Sequence, residues 1–375
     1  MNLSNIDITG IEIIKKEDHV IIKRFNKYFR LGNKEANMVK DILQAKNENY
    51  FLETYNLTLQ EFHDFLLALQ NAGITGEVKK EKKNFLFYKI PLFNPDSLLN
   101  KFNKLFLQNK FINSTFLLAA TLTIILGFIL FFLNFNDITS NFLKGFGFKQ
   151  YILFYIATIG TVFLHELGHA IVCKHYGGKV NEIGFYLIFF SPALYCDVSG
   201  IRAFNKNKHK IATLLAGILV QLIIFAIITI LYVNMHIDSN LFSTFICWNL
   251  LMIISNIIPV IKLDGYWILS SLVDIPNLYE KSLKLALGKN ENVLFDEREV
   301  RKANFIKWFG ILNILFVFVS IVLGIWGIYY LSITLEGPFK YFALTVEVLI
   351  YLLTIIMFGD FIYKIVKAKT QPQKG

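Results

Sequence analysis

Long apolar runs are the feature that most constrains this chain. The sequence contains six stretches of about 20 residues, roughly the length that crosses the hydrocarbon core of a bilayer. They lie near 112–135, 151–173, 211–234, 241–262, 305–331 and 341–365. Charged residues make up only 18% of the chain, against roughly 25% in an ordinary soluble domain. The sequence therefore predicts a mainly α-helical, polytopic membrane protein with about six transmembrane helices.

The basic residues lie beside these runs and indicate an orientation. The net charge is +10, and Lys and Arg cluster on alternate connections, as the positive-inside rule describes for cytoplasmic segments. The clusters occupy residues 101–110, 174–210, 281–307 and 364–374. Residues 1–16 lack a basic stretch followed by an apolar core, so no secretory signal is predicted. We expect a multi-pass protein of the cell membrane with both termini in the cytoplasm, and the lipid bilayer rather than nucleic acid as its partner.

Residues 1–90 predict a small cytosolic α+β domain with a winged-helix-like layout. Short strands flank two amphipathic helices, one beginning near Asn33 and one running from Thr58 to Gly73. The predicted strands are 11–14, 20–25, 28–31 and 85–90. Residues 91–111 form a basic amphipathic linker typical of the membrane surface. Residues 112–370 are then the six-span domain.

An apolar stretch between the second and third spans is too short to cross the bilayer. It runs from Ile183 to Pro192 and is interrupted by Gly184. Non-helical backbone at membrane depth is tolerated only where protein surrounds it. We therefore predict a hairpin that dips into the membrane beside the second span.

The second span contains a group of residues typical of a metal site, His165-Glu166-Leu-Gly-His169. Residues four apart share one face of a helix, so the two histidines can bind the same ion. Glu166 lies on the neighbouring flank, where a carboxylate can act as general base toward a water. The alternative is a polar seam between packed helices. Each charged side chain costs roughly 2.5–3.5 kcal/mol at the centre of a span, which favours the functional interpretation.

Asp264 is the candidate for a third metal ligand. A catalytic zinc ion typically has three protein ligands and one open position. Asp264 follows the fourth span within a Leu-Asp-Gly sequence, at the membrane edge where the histidines are predicted. A helix-end carboxylate in water is the alternative interpretation. The common edge and the ligand chemistry favour a Zn2+ site.

Together the two motifs resemble the site-2 protease family of intramembrane zinc metalloproteases. They are HELGH at residues 165–169 and N-x-x-P-x-x-x-L-D-G at residues 256–265, and the resemblance covers about residues 112–275. It implies the fold of a membrane metalloprotease. The residue roles that it implies are zinc binding by His165, His169 and Asp264, general-base catalysis by Glu166, and substrate binding by Asn256.

Three shorter segments are similar to one branch of that family, the peptide zinc metalloproteases of systems that mature ribosomally made peptides. They are residues 191–198, 265–269 and 275–278. The connection between the third and fourth spans, about residues 234–240, is too short for the PDZ domain that other branches insert there. The resemblance therefore implies that substrate selection lies elsewhere in the chain.

The N-terminal domain is the candidate for substrate selection. Its layout resembles winged-helix peptide-recognition domains, which bind a leader peptide as an added strand. Residues 28–31 and the helix from Asn33 would then form the groove. DNA binding is the alternative, because residues 15–30 are rich in Lys and Arg. The acidic helix residues Glu53, Glu61 and Asp64 favour the peptide.

We therefore expect a membrane-embedded zinc endopeptidase that hydrolyses a small peptide precursor, such as a bacteriocin, or a membrane-bound peptide. One alternative is the same enzyme acting on a membrane-anchored regulator. Another is a protein without catalytic activity that serves peptide export or self-immunity.

Overall fold

The computed structural model describes residues 7–15, 20–25, 27–44, 46–76, 87–142, 148–188, 191–235, 239–288 and 297–334, with scattered helical positions between 341 and 359. The chain divides into two compact parts, Met1–Ile257 and Ile258–Gly375. Each part is described by itself below.

A three-stranded antiparallel sheet opens the first part. Its strands are β1 (Ile11–Lys15), β2 (Val20–Arg24) and β3 (Lys27–Leu31) in the order β1-β2-β3, and they confirm the three early strands predicted from the sequence. The register places Ile22 opposite both Ile13 and Phe29. Ile22 is fully buried, so the central strand anchors the sheet to the helices that follow.

Three helices cover this sheet: α1 (Asn33–Leu43), α2 (Glu48–Tyr55) and α3 (Leu59–Ala72). Helix α3 begins as predicted, because Thr58 and Glu61 form a reciprocal capping box. Helix α1 begins after Gly32, which is its N-cap residue, and α2 was not predicted from the sequence. The buried core of this region consists of Ile22, Met38, Val39, Ile42, Phe51, Phe62, Leu66, Leu69 and Ile74.

A second sheet carries the strand predicted at residues 85–90. That strand, β4 (Phe87–Phe93), pairs with β5 (Ile183–Ile188) and not with the N-terminal sheet. Strand β6 (Ser191–Cys196) completes the order β4-β5-β6. The hairpin predicted between the second and third spans is thus confirmed as β5 and β6, and its entry into the membrane stays a prediction. An alternating sequence pattern predicts a strand but does not identify the strand it pairs with. The edge of β5 has backbone N–H and C=O groups that need hydrogen-bond partners, and β4 supplies them.

The segment after β4 attaches to the end of the second span. Helix α4 (Asp96–Phe102) continues into a π-helical turn at Asn103–Leu107. The Asp96 carboxylate accepts hydrogen bonds from Lys174 Nζ at 2.8 Å and from the Val180 N–H at 3.1 Å. This linker is therefore held by partly buried polar contacts as well as by the buried side chain of Leu99.

Among the described residues, five helices are long and apolar enough to cross a membrane: Lys110–Leu133, Lys149–His175, Asn207–Asn234, Asn240–Ile257 and Ala303–Tyr330. They confirm five of the six predicted spans, and the sixth, at 341–365, falls largely outside the described residues. The spans belong to α5 (Lys110–Leu133), α7 (Phe148–His175), α8 (Asn207–Met235), α9 (Ser239–Ile257) and α13 (Ala303–Thr334). A short helix, α6 (Phe135–Phe142), follows α5. The protein is a multi-pass membrane protein with a mainly helical fold.

The fourth span is shorter than predicted. The sequence predicted residues 241–262, whereas α9 ends at Ile257, because a residue before proline avoids the helical conformation and residue 259 is Pro259. In the second part, α10 (Asp264–Val273), α11 (Leu278–Ala286) and α12 (Glu297–Arg301) precede α13. Their shared core contains Tyr266, Ile275, Leu278, Leu285, Ile306 and Phe309.

Candidate metal centre

The two motif histidines lie one turn apart on α7 and point at each other. His165 is 6% exposed and His169 is 4% exposed. Their Nε2 atoms are 3.0 Å apart, and the two rings are nearly perpendicular, at 86°. Two ring nitrogens that converge in this way leave one common point where a metal ion binds both.

A backbone carbonyl fixes the tautomer of one histidine. His169 Nδ1 lies 2.8 Å from the carbonyl oxygen of Thr213 on α8. A carbonyl only accepts hydrogen bonds, so Nδ1 carries the proton and donates it. The Nε2 atom of His169 therefore keeps its lone pair, which is the state that a metal ligand requires.

Helix α8 approaches the histidines at a glycine. A Cβ atom on Gly217 would lie 2.5 Å from His169 Nε2 and 2.7 Å from His165 Nε2. One turn of α7 contributes to the same close packing, since a Cβ on Gly168 would lie 3.0 Å from the carbonyl oxygen of Ala216. Glycine at position 217 is thus what allows α8 to face the two nitrogens without a side chain between them.

Glu166 is held by the hairpin. Its Oε2 atom accepts a hydrogen bond of 2.8 Å from the backbone N–H of Cys196, the last residue of β6. The hairpin is itself anchored by β4, where the Lys89 ammonium lies 5.0 Å from the ring centroid of Tyr195. The carboxylate is therefore oriented by a sheet and remains next to the histidines on the same helix.

Asn256 is placed near the end of α9 and bound to α8. Its Nδ2 atom donates to Gln221 Oε1 at 2.9 Å. Asp264 is the first residue of α10, in the second part of the chain, and is half-buried. A helix N-terminus favours a negative charge, and a carboxylate side chain at the first residue of α10 agrees with that preference.

Three residues of this centre were missed by the sequence analysis: Thr213, Gly217 and Gln221. They recur every four residues along the third span and so share one face of α8. Small or polar residues at helical spacing within an apolar span were the signal that could have identified them.

The fold brings together a pair of buried histidines on a candidate membrane span and places a carboxylate beside them, which makes this a candidate metal site. No protein-family model matches the chain. The chain is 30% identical over 208 residues to the Putative peptide zinc metalloprotease protein YydH of Bacillus subtilis (strain 168), a match that covers 52% of this chain and 77% of that protein. It is 31% identical over 146 residues to the Zinc metalloprotease MJ0392 of Methanocaldococcus jannaschii, covering 37% of this chain and 40% of the relative.

Together, the candidate membrane spans and these two relatives place the chain in the class of membrane zinc proteases. The chain belongs to the zinc metalloprotease family that includes YydH.

Proposed function

We propose that this chain is a site-2-type zinc endopeptidase that cleaves a small peptide within or beside the membrane. The zinc ligands are His165, His169 and Asp264. The two histidines are buried, the aspartate is half-buried, and each offers one ligand atom for a metal ion. The observation that carries the proposal is the convergence of the two Nε2 atoms at 3.0 Å.

The proposed ligands His165, His169 and Asp264 fit a zinc ion on chemical grounds. Imidazole nitrogen and carboxylate oxygen are both ordinary zinc ligands, and three protein ligands leave the open position of a catalytic site. The carbonyl of Thr213 supports His169 from behind, as an outer partner of a metal-binding histidine does. When bound, zinc polarises a carbonyl and lowers the pKa of a water to about 7.

Glu166 acts as the general base in this proposal. Its carboxylate accepts the proton of the attacking water and passes it to the leaving amine. The Cys196 N–H donates to one oxygen, Oε2, and this bond restricts the orientation of the carboxylate. Asn256 binds the substrate and orients its carbonyl. The hydrolysis leaves no covalent intermediate on the enzyme, because water is the nucleophile.

The decisive experiment compares wild type with Glu166→Gln. We expect both proteins, purified at full length in detergent, to retain about one zinc ion per chain. Candidate peptides incubated with each are then analysed by mass spectrometry. Wild type should release defined fragments, and Glu166→Gln should release none, because an amide does not accept the proton. Equal cleavage by both proteins would remove Glu166 from the reaction.

We propose a ribosomally made precursor peptide, such as a bacteriocin precursor, as the substrate class, because the relative that covers more of this chain is named a peptide zinc metalloprotease. A membrane-anchored regulator is the competing substrate. Incubating the full-length protein with both kinds of substrate, reconstituted in lipid vesicles, separates the two. Cleavage of the regulator alone would contradict the proposed class.

The N-terminal region of residues 7–76, the part of the predicted domain 1–90 that precedes β4, is assigned to recognition of the leader. Strand β3 is an edge of its sheet, in the order β1-β2-β3, so its outer backbone groups suit the addition of a peptide strand. Phe29→Pro should weaken leader binding, because proline removes a donor from the strand. The control is a substitution at an exposed residue outside the strand, Leu67→Gln on α3, which should leave leader binding unchanged.

The competing function of this region, DNA binding, predicts a different salt response. Affinity for duplex DNA falls steeply as salt rises, because counterions are released on binding. Titrating the full-length protein with a leader peptide and with duplex DNA, each at two salt concentrations, distinguishes the two. Salt-sensitive binding of DNA without binding of peptide would overturn the recognition role and leave the protease proposal intact. We also propose that both termini lie in the cytoplasm.

A further inference from the structure

Gln221 connects the metal-binding face of α8 to Asn256. It is 2% exposed although it lies within a membrane span. Its Oε1 atom accepts the hydrogen bond from Asn256 Nδ2 at 2.9 Å. A carboxamide costs several kcal/mol to bury unless it is hydrogen-bonded, so this pair is a specific arrangement and not a by-product of apolar packing.

Helix α9 holds Gln221 at both its backbone and its side chain. Asn249 is fully buried, and its Nδ2 atom donates to the backbone carbonyl oxygen of Gln221 at 3.1 Å. Asn249 and Asn256 are seven residues apart and therefore share one face of α9. The position of Gln221 is thus fixed by two bonds from a single helix.

The same face of α8 reaches the histidines. Thr213 holds His169 through its carbonyl oxygen, and Gly217, one turn further, lies against both imidazole rings. Gln221 is one more turn along this face. A single helix, α8, therefore provides both the carbonyl oxygen that hydrogen-bonds His169 and the side chain that hydrogen-bonds Asn256.

We propose that Gln221 is a positioning residue that acts on the substrate through Asn256. The proposal rests on the proposed function, because it takes Asn256 as the group that binds the substrate carbonyl. A carboxamide nitrogen has two N–H donors. One donates to Gln221 Oε1, and this bond turns the other toward the carbonyl oxygen of the peptide. A donor held in place before the reaction is most effective where negative charge develops.

The test uses the full-length protein in detergent and five variants. Gln221→Met keeps the length of the side chain and removes the acceptor, whereas Gln221→Glu keeps an acceptor oxygen. Asn256→Leu removes the proposed donor, and it is combined with Gln221→Met in a double variant. Thr229→Val is the matched control: Thr229 is also fully buried on α8, and its hydroxyl bonds only the carbonyl of Phe225, at 2.8 Å, among the contacts described.

Three readouts are measured for each protein: zinc content, kcat and KM for fluorescein-labelled casein, and the Kd of a peptide hydroxamate. We expect every variant to retain zinc. Gln221→Met should lower kcat by roughly 10- to 100-fold, with little change in KM, and Gln221→Glu should restore most of the loss. The double variant should be no slower than Asn256→Leu alone, because the two residues act as one unit. Thr229→Val should behave as wild type.

Other results overturn the proposal. If Gln221→Met matches Thr229→Val in kcat and in hydroxamate Kd, Gln221 has no positioning role. Independent, multiplicative losses in the double variant also contradict it, since they would separate Gln221 from Asn256. Failure of the proposed function is visible separately: wild type would then contain no zinc, or Glu166→Gln would cut casein as fast as wild type.

Discussion

The N-terminal region (residues 7–76) and the helices α7 to α9 differ in how many polar side chains they bury. The N-terminal region encloses Phe51 and Phe62, whose stacked rings are 4.9 Å apart, within an apolar core. In the spans, by contrast, many large apolar side chains are exposed, and the buried positions include Thr161, His165, Thr213, Gln221, Thr229, Ser243 and Asn249. Apolar residues outside cost nothing in lipid, so the interior is where polar groups meet. In the spans, three of these buried polar residues, His165, Thr213 and Gln221, belong to the candidate metal centre or its supporting contacts.

The largest effect is expected at the closest contact of this polar interior. Gly217→Ala would bring a Cβ to 2.5 Å from His169 Nε2, so the two nitrogens must separate. We expect zinc affinity to fall by at least about 100-fold and proteolysis to be lost. Inductively coupled plasma mass spectrometry measures the bound zinc, and a peptide-cleavage assay measures proteolysis. The matched control is Gly160→Ala on the same span as the histidines, because a Cβ there meets nothing within 4 Å. Full zinc occupancy in Gly217→Ala would show that α8 does not confine the site.

A large effect on stability is expected at the one buried arginine of the N-terminal core. Arg24 is 2% exposed and donates to the carbonyl oxygens of Thr9, Gly73 and Gly76. Arg24→Met leaves these acceptors without their donor, and we expect a loss of about 3 kcal/mol in the stability of this region. Hydrogen exchange of the β2 and α3 amides measures it, while zinc content stays normal.

The neighbouring residue provides the control for that prediction. Lys23 forms a surface ion pair with Glu12 at 2.8 Å, and such pairs contribute less than about 1 kcal/mol. Lys23→Met should therefore leave exchange rates nearly unchanged. Similar exchange rates in the Arg24 and Lys23 variants would mean that this region tolerates buried carbonyl oxygens without a hydrogen-bond donor. The two regions would then differ less in how they accommodate buried polar groups.

A smaller effect is expected where the linker meets α7. Burial raises the pKa of Asp96, but the Lys174 ammonium and the Val180 N–H outweigh it, so this pKa lies below its usual value. A depressed pKa means that the stabilisation is present above the unfolded value of about 3.9. It is lost as the pH falls through the lower folded value. Asp96→Asn should lower stability by about 1–2 kcal/mol near neutral pH, and melting curves should converge with wild type in strong acid.

The smallest effect is expected at the N-terminus of α3. Thr58 accepts from the Glu61 N–H at 3.2 Å, and Glu61 bonds the Thr58 N–H at 2.8 Å in return. Thr58→Ala should cost about 1 kcal/mol, seen as faster exchange in the first turn of α3. Thr58→Ser keeps the hydroxyl and should behave as wild type. A larger loss in Thr58→Ala than in Arg24→Met would reverse the expected ranking.

The sequence predicted what depends on local pattern. Apolar runs of the right length predicted five confirmed spans, and helical spacing predicted that His165 and His169 share a face, which the 3.0 Å separation of their nitrogens confirms. Pairings between distant segments were not accessible in this way. The partner of β4 depends on which strand edge lies nearby in three dimensions, and its sequence carries only the period of a strand.

The role of Gly217 also could not be predicted from the sequence, because it depends on which helix packs against it. A glycine in a membrane span is compatible with many kinds of helix packing. Only the position of the α7 histidines beside α8 distinguishes this glycine from Gly160, which faces open space. The proposed ligands could be chosen from the sequence, because metal chemistry restricts the residue types, and their assignment stays a prediction. The groups that position them were not, because backbone carbonyls and missing side chains leave little trace in a sequence.

The pairing of β4 with β5 has a consequence for how this gene can be divided. A fragment beginning at the first span would encode α5 and every helix after it, yet it would lack one of the three strands of the sheet whose last strand holds Glu166. Strand β4 (Phe87–Phe93) therefore belongs to the same sheet as the hairpin between the second and third spans, although it precedes all the spans in the sequence. Fusions, chimaeras and expression fragments should be joined upstream of Phe87, and recombination between relatives is expected to exchange this strand together with the hairpin.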